Sequence, residues 1–258
     1  MKLLALGDVV GEKGCAAVRR FLPDFKRKEN IDFCIANGEN SAEGNGITPK
    51  SAEHLFASGV DFITGGNHSF RRNEAYAFLD ENDRVIRPYN CHVSNPGKGV
   101  GIVDMGKYRI GIVNLLGAAF MSGADNPFDA ADKALKEIDG CKIKIVDFHA
   151  EATGEKRAMG FYLDGRVSAV FGTHTHVLTA DACVLPKGTG YITDLGMCGP
   201  KYSVLGVEPE IIIRFLKTGM PSRFNSSQNE AGVQGCVFEI DDSTGLTKSV
   251  KTVLSGEI

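Results

Sequence analysis

The sequence lacks any uninterrupted apolar run of membrane-spanning length, so no helical membrane span is expected. It also lacks a charge excess: 29 Lys and Arg stand against 32 Asp and Glu, a formal net charge of −3. That balance gives no electrostatic argument for a membrane surface as partner. It argues equally against long nucleic acid, whose binding demands many Lys and Arg contacts. The seven cysteines (Cys15, Cys34, Cys91, Cys141, Cys183, Cys198 and Cys236) form no C-x-x-C pair. An odd, scattered set without a secretory signal reads as reduced thiols of a cytoplasmic protein, which excludes a zinc ribbon or a disulfide framework. The apolar opening meets Asp8 within one strand length, as a first strand does and a signal peptide does not. There are no repeats, low-complexity tracts or linkers. A chain of 258 residues, 43% of them hydrophobic, fits one domain over residues 1–258 with ample length to bury a core.

What is present is an alternation of short apolar runs and amphipathic stretches. Strands are expected at residues 3–6, 31–36 and 60–64, with helices at 12–28 and from the cap pair Thr48-Pro49 to 57. Such alternation implies parallel strands with crossover helices. Residues 100–105 and 108–116 flank Gly106-Lys107 as a hairpin. A helix over 127–138, capped by Asn126 or Asp125, leads to a buried strand at 143–149. A helix around 151–162 and a strand at 167–171 follow. Short strand-like runs at 183–185 and 190–193 lead to a loop over 196–203, a helix over 208–217 and a closing hairpin of 233–240 with 246–254. The sum is an α/β fold, a four-layer α/β/β/α sandwich of two mixed sheets between helices.

Polar residues gather just beyond the apolar runs: Asp8; Glu39 with Asn40; Asn67 with His68; His149; and His174 with His176. Groups beyond the carboxyl ends of strands converge in the crevice of an open α/β sheet. Four of the six histidines fall in these clusters, whereas His54 and His92 do not. Two histidines one residue apart in extended backbone would point to the same side about 7 Å apart. That spacing suits two imidazoles reaching two ions roughly 3.5–4 Å from each other. A carboxylate, amide and imidazole set without thiolates suits Mn²⁺, Fe²⁺ or Zn²⁺. Singly, each residue has a blander reading: Asp8 as a helix cap, Asn67 in a left-handed turn, His149 as a satisfied core histidine. Glu39 is the hardest to explain away, because a carboxylate just past a buried strand needs a partner.

In this order the residues resemble the calcineurin-like metallophosphoesterase superfamily, and within it the YmdB-like bacterial branch of cyclic-nucleotide phosphodiesterases. The Gly7-Asp8-Val9-Val10-Gly11 opening and the stretch from Asp194 to Pro200 belong to the likeness, which spans essentially the whole chain. The resemblance implies that Glu39 bridges two metal ions. Asp8, Asn40 and His176 would complete one site, and Asn67, His149 and His174 the other. It implies iron ahead of manganese or zinc, a bridging hydroxide that attacks phosphorus in line, and His68 as proton donor to the leaving oxygen. The implied substrate is a small cyclic phosphodiester, 2′,3′-cyclic nucleotides foremost, and a homo-oligomer is suggested. A phosphomonoesterase, a nuclease, or a metal- and nucleotide-binding regulator with little turnover are the alternatives. Retention of His68 favours catalysis, since a binder needs no proton donor.

Two departures from the wider superfamily fit the narrower branch: Val10 stands where a histidine ligand is common, and Glu39 where the bridge is usually aspartate. Ser69 follows His68 where many relatives carry an orienting acid, so what orients His68 is open. Substrate-binding residues are not assigned. Arg71, Arg72 and Lys201 read as solvated surface rather than phosphate ligands, and Phe70 and Tyr202 as packing rather than base-stacking groups. Cys91 and His92 point apart in extended backbone and make no nucleophile pair.

Overall fold

In the computed structural model, which describes residues 1–255, the amino-terminal third is a run of β-α units. β1 (Lys2–Val9), α1 (Gly11–Glu29), β2 (Phe33–Asn37), α2 (Pro49–Ala57), β3 (Phe62–Thr64) and α3 (Ala75–Glu81) follow in order. Thr48 caps α2 through a reciprocal pair of bonds with Ser51, and Pro49 occupies the first turn, where its missing N–H is not needed. The middle comprises β4 (Val100–Asp104), β5 (Arg109–Leu116), α4 (Pro127–Glu137), β6 (Ile143–His149), α5 (Thr153–Leu163) and β7 (Ala169–Thr173). Asn126 caps α4 by accepting from the Phe128 and Asp129 amides. The rest is β8 (Cys183–Val184), β9 (Gly190–Ile192), β10 (Met197–Pro200), α6 (Pro209–Thr218), β11 (Ala231–Gly232), β12 (Gln234–Ile240) and β13 (Thr247–Leu254).

The first sheet centres on β1, which runs parallel to β2 on one side, with β3 beyond it. On the other side β12 pairs antiparallel with Lys2–Leu6, and β10 takes over in parallel at Asp8 and Val9. The second sheet has the order β4-β5-β6-β7-β9-β8, parallel from β5 to β9 with antiparallel edges. Alternation along the strands divides three cores. Leu3, Ala5, Phe33 and Ile35 meet Ile143, Ile145, Ala169 and Phe171 between the sheets. Leu4, Leu6, Cys34 and Ala36 pack under α1 and α2. Val146, Phe148 and Val170 pack under α4 and α5. These are the four expected layers.

Several elements differ from the sequence reading, the short β11 among them. The sequence predicts a loop over residues 196–203, yet Met197–Pro200 is a strand bonded to β1 and β11. Its Gly-Pro ending carries no strand signal, and it is extended because β12 leaves the second half of β1 unpaired. α3 lacks a side-chain cap and is too short to show a helical period. α5 begins at Thr153, so Glu151 lies outside it, in the loop beyond β6. No helix among the described residues is long and apolar enough to cross a membrane.

Candidate metal centre

Where β1, β2, β3, β6 and β7 end, the inter-sheet face turns from apolar to polar. β1 shows how. Leu6 pairs with Ala36 but Asp8 pairs with Asn37, so Gly7 is an extra residue on β1. A bulge reverses the alternation, which sends Asp8 to the inter-sheet side while Val9 joins the core under the helices. Only glycine fits there, since a Cβ on Gly7 would stand 2.0 Å from the Gly196 carbonyl oxygen.

Beneath the site lies a layer that sequence reasoning missed. Asp147, fully buried, accepts from the Thr64 hydroxyl, from the Thr173 hydroxyl at 2.7 Å and from the Asn37 amide at 3.0 Å. Burial pushes its carboxyl up to about 6 against those three bonds. The available signal was its parity with His149, two residues on along the same strand face.

Above this layer the predicted residues come together. His149 is completely buried; its Nδ1 lies 2.9 Å from the Thr173 hydroxyl, and its Nε2 lies 2.9 Å from Asn67 Oδ1 and 3.2 Å from His174 Nδ1. Burial lowers its pKa to about 3, so the imidazole is neutral, the form that binds metal. Glu39 turns its two oxygens to different neighbours. Oε1 accepts from the Asn40 amide at 2.7 Å and faces His68 Nδ1 at 3.0 Å. Oε2 accepts from the His68 N–H at 2.8 Å and lies 3.4 Å from His149 Nε2. Burial disfavours this carboxylate, but the His149 and His68 imidazoles outweigh that and hold its pKa low. His68 Nδ1 also faces Asn40 Oδ1 at 2.9 Å, so Glu39 and Asn40 orient the ring in place of the missing acid.

Asp8 Oδ2 accepts from the His174 N–H at 3.0 Å. Its Oδ1 is buried without a hydrogen-bond partner among the described residues, with His176 Nε2 at 3.7 Å and His149 Nδ1 at 3.8 Å. Burial raises this carboxyl well above its ordinary range, and the charges of Glu39 and Asp194 add to the shift.

The two histidines of the Gly-x-His-x-His stretch do not project from extended backbone as expected. His174 has φ 98° and His176 φ 62°, both in the left-handed region. The chain curls around Thr175, whose N–H and hydroxyl both donate to Asp194 Oδ2, at 3.2 and 2.6 Å. The buried Lys156 ammonium meets the same oxygen at 2.7 Å. The curl sends His174 to His149 and His176 toward Asp8. Glu151, also missed, sits 3.0 Å from His174 Nε2. Lys156 and Glu151 offered no local motif, and Asp194 stood in the Asp194–Pro200 stretch without an assigned role.

His149 Nε2 and His174 Nδ1, 3.2 Å apart beside a carboxylate, and an orphaned Asp8 oxygen facing His176 and the other nitrogen of His149, form a donor set that a cation satisfies. Donor atoms of Glu39, His149 and His174 lie within 4.8 Å of one another. A cavity of about 270 Å³ opens over the centre, with Glu39, Asn40, His68, His174 and His176 in its wall.

A sequence model of the YmdB-like protein family matches residues 4–253. The chain belongs to the YmdB-like family. A 2′,3′-cyclic-nucleotide 2′-phosphodiesterase of Bacillus subtilis (strain 168) is 44% identical over 255 residues, 98% of this chain and 97% of that protein. A crystal structure of a Thermus thermophilus protein superposes with a TM-score of 0.93 at 40% identity, covering 98% of each chain. A crystal structure of a phosphatase from Mycoplasma pneumoniae gives 0.93 at 38% identity, over 98% of this chain and 92% of that one. The architecture and the family thus agree with the resemblance read from the motifs.

The remaining sequence candidates divide. Arg72 donates to the Asn45 and Glu43 carbonyls and holds the loop after Asn40. Phe70 packs edge-on to Tyr76, as expected. Tyr202 does not pack: it is 61% exposed.

Proposed function

We propose that this YmdB-like chain is a phosphodiesterase that opens 2′,3′-cyclic nucleotides at a two-metal centre. The observation that carries this is the division of Glu39, one oxygen toward His68 and Asn40, the other toward His149. A carboxylate has lone pairs enough to serve two cations from that position. Asp8, Asn40 and His176 would complete one ion's set, and Asn67, His149 and His174 the other's; iron, manganese or zinc all suit such donors. The ions, when bound, lower the pKa of water and neutralise charge on phosphoryl oxygens.

The chain's own residues supply the rest. The neutral His149 offers a lone pair without first losing a proton, and its Nδ1 partner Thr173 fixes the ring. Half-buried His68, held at Nδ1 by Glu39 and Asn40, keeps Nε2 as the remaining nitrogen to give a proton to the departing ribose oxygen. The Bacillus relative's activity supports the cyclic diester as substrate. The Mycoplasma phosphatase supports a second reading, hydrolysis of a phosphomonoester by the same groups.

The test pairs elemental analysis with turnover. Metal-replete protein is expected to carry near two equivalents of transition metal, lost in Glu39→Ala, and to hydrolyse 2′,3′-cyclic AMP faster than a nucleoside monophosphate. His68→Ala at equal metal content should lose about 10²–10⁴-fold in rate. Metal-free wild type from an anaerobic, metal-supplemented preparation overturns the reading.

A further inference from the structure

The cavity over the centre, about 270 Å³, falls just below the roughly 300–1,000 Å³ of ordinary small-molecule sites. A nucleotide bound with its phosphate there must extend elsewhere. A neighbouring cavity of about 440 Å³ adjoins it, since His176 and Leu205 form part of both walls. On the far side of His176 it is lined by Val177, Met197, Lys201 and Tyr202. We propose that this second cavity receives the nucleobase of the substrate, stacked against Tyr202; the assignment rests on the phosphodiesterase reading above.

Position selects it over the alternatives. A larger cavity of about 800 Å³, whose wall carries Glu12, Glu43 and Glu74 against Lys50 and Arg72, includes none of the eight centre residues. A third, of about 630 Å³, pairs Glu43 and Glu208 with Arg72 and Arg223 and likewise touches none of them. The Tyr202 cavity includes no carboxylate, and Lys201, whose ammonium lies 3.9 Å from Glu230, is the charged group in its wall.

The wall suits a flat, largely apolar ring. Tyr202 is 61% exposed and Leu205 49%, so their surface is not spent on the core. Leu205 holds left-handed backbone, φ 53°, in a turn closed by bonds between Val204 and Val207. Strained backbone persists at ligand clamps, where the surrounding structure fixes it. Two polar groups in the wall are already engaged: Gln234 Oε1 accepts from the Met197 N–H at 3.0 Å, and the Ser203 hydroxyl donates to the Pro200 carbonyl. Stacking is open to every base, so the contribution of Tyr202 is expected to be similar from one base to another.

The experiment compares 2′,3′-cyclic AMP with ribose 2,3-cyclic phosphate, which lacks the base, on the metal-loaded full chain. Wild type should prefer the nucleotide in kcat/KM. Tyr202→Ala should cut that preference about tenfold or more, carried by KM, because one base–aromatic stack is worth that much. Tyr202→Phe, which keeps the ring, should restore it. An unchanged preference in Tyr202→Ala overturns the proposal. If wild type turns over neither ester, the phosphodiesterase reading falls and calorimetry decides the cavity separately. Binding of 3′-AMP tighter than ribose phosphate, and weakened by Tyr202→Ala, retains the base site; equal binding removes it.

Discussion

The backbone N–H of His174 donates to Asp8 Oδ2 at 3.0 Å, so the loop after β7 in the second sheet is bonded to the bulged end of β1 in the first. The other oxygen of Asp8 is buried without a hydrogen-bond partner among the described residues. A desolvated carboxylate oxygen of this kind costs stability in the metal-free chain, and it is held ready for a cation. Asp8→Asn should therefore leave the metal-free protein at least as stable as wild type in thermal melts. The same variant should show a smaller metal-induced rise in Tm and bind less metal. A variant that melts lower without metal and gains as much from metal as wild type would sink this account.

The His-x-His loop depends on a buried ion pair. Lys156 is 1% and Asp194 0% exposed, and Asp194 also accepts the Gly196 N–H at 2.8 Å and both donors of Thr175. Removing one partner of a buried pair typically costs about 3–5 kcal/mol, because the other charge is left uncompensated. Lys156→Met is thus expected to lower the urea midpoint and to weaken metal binding through His174 and His176, although it touches neither. Lys156→Arg should recover much of both. Normal metal binding in a destabilised Lys156→Met would show the pair to be structural only.

How much of this was legible in the sequence depended on where each signal lay. The strands and caps could be read because alternation and Thr48-Pro49 or Asn126 are local patterns. The eight centre residues were visible because they stand just past apolar runs. Asp147 was hidden inside its run, between Val146 and Phe148, and only pairing of β6 with β5 and β7 shows that it faces the other sheet. β10 was hidden because its extended form is imposed by a vacancy beside β1, a long-range fact. The His-x-His spacing misled on geometry, since Asp194, well beyond His176 in the chain, curls the backbone through Thr175.

The thiols test burial without touching the centre. Cys15, Cys34, Cys141, Cys198 and Cys236 are buried. Burial pushes Cys15, Cys198 and Cys236 up to about 12 and raises Cys34 and Cys141 as well. Almost no thiolate exists at such sites near pH 8. Native protein should react rapidly with a thiol reagent at no more than Cys91 and Cys183, the two half-buried cysteines, and at all seven once unfolded. Fast labelling of Cys198 in the native state would mean that β10 opens readily beside Asp8.

Two glycines separate close approach from mere flexibility. A Cβ on Gly7 would meet the Gly196 carbonyl oxygen at 2.0 Å, whereas a Cβ on Gly154, in the first turn of α5, meets nothing within 4 Å. Gly154→Ala removes unfolded-state freedom and should stabilise by up to about 1 kcal/mol. Gly7→Ala forces backbone against backbone, so relief must come from the bulge itself, at a cost of about 1–3 kcal/mol or more. Because the bulge is what turns Asp8 inward, this variant should also lose metal affinity, while Gly154→Ala should not. Denaturant midpoints and metal titrations on the pair give the answer. Equal metal affinity in Gly7→Ala and wild type would show that Asp8 reaches the centre without the bulge.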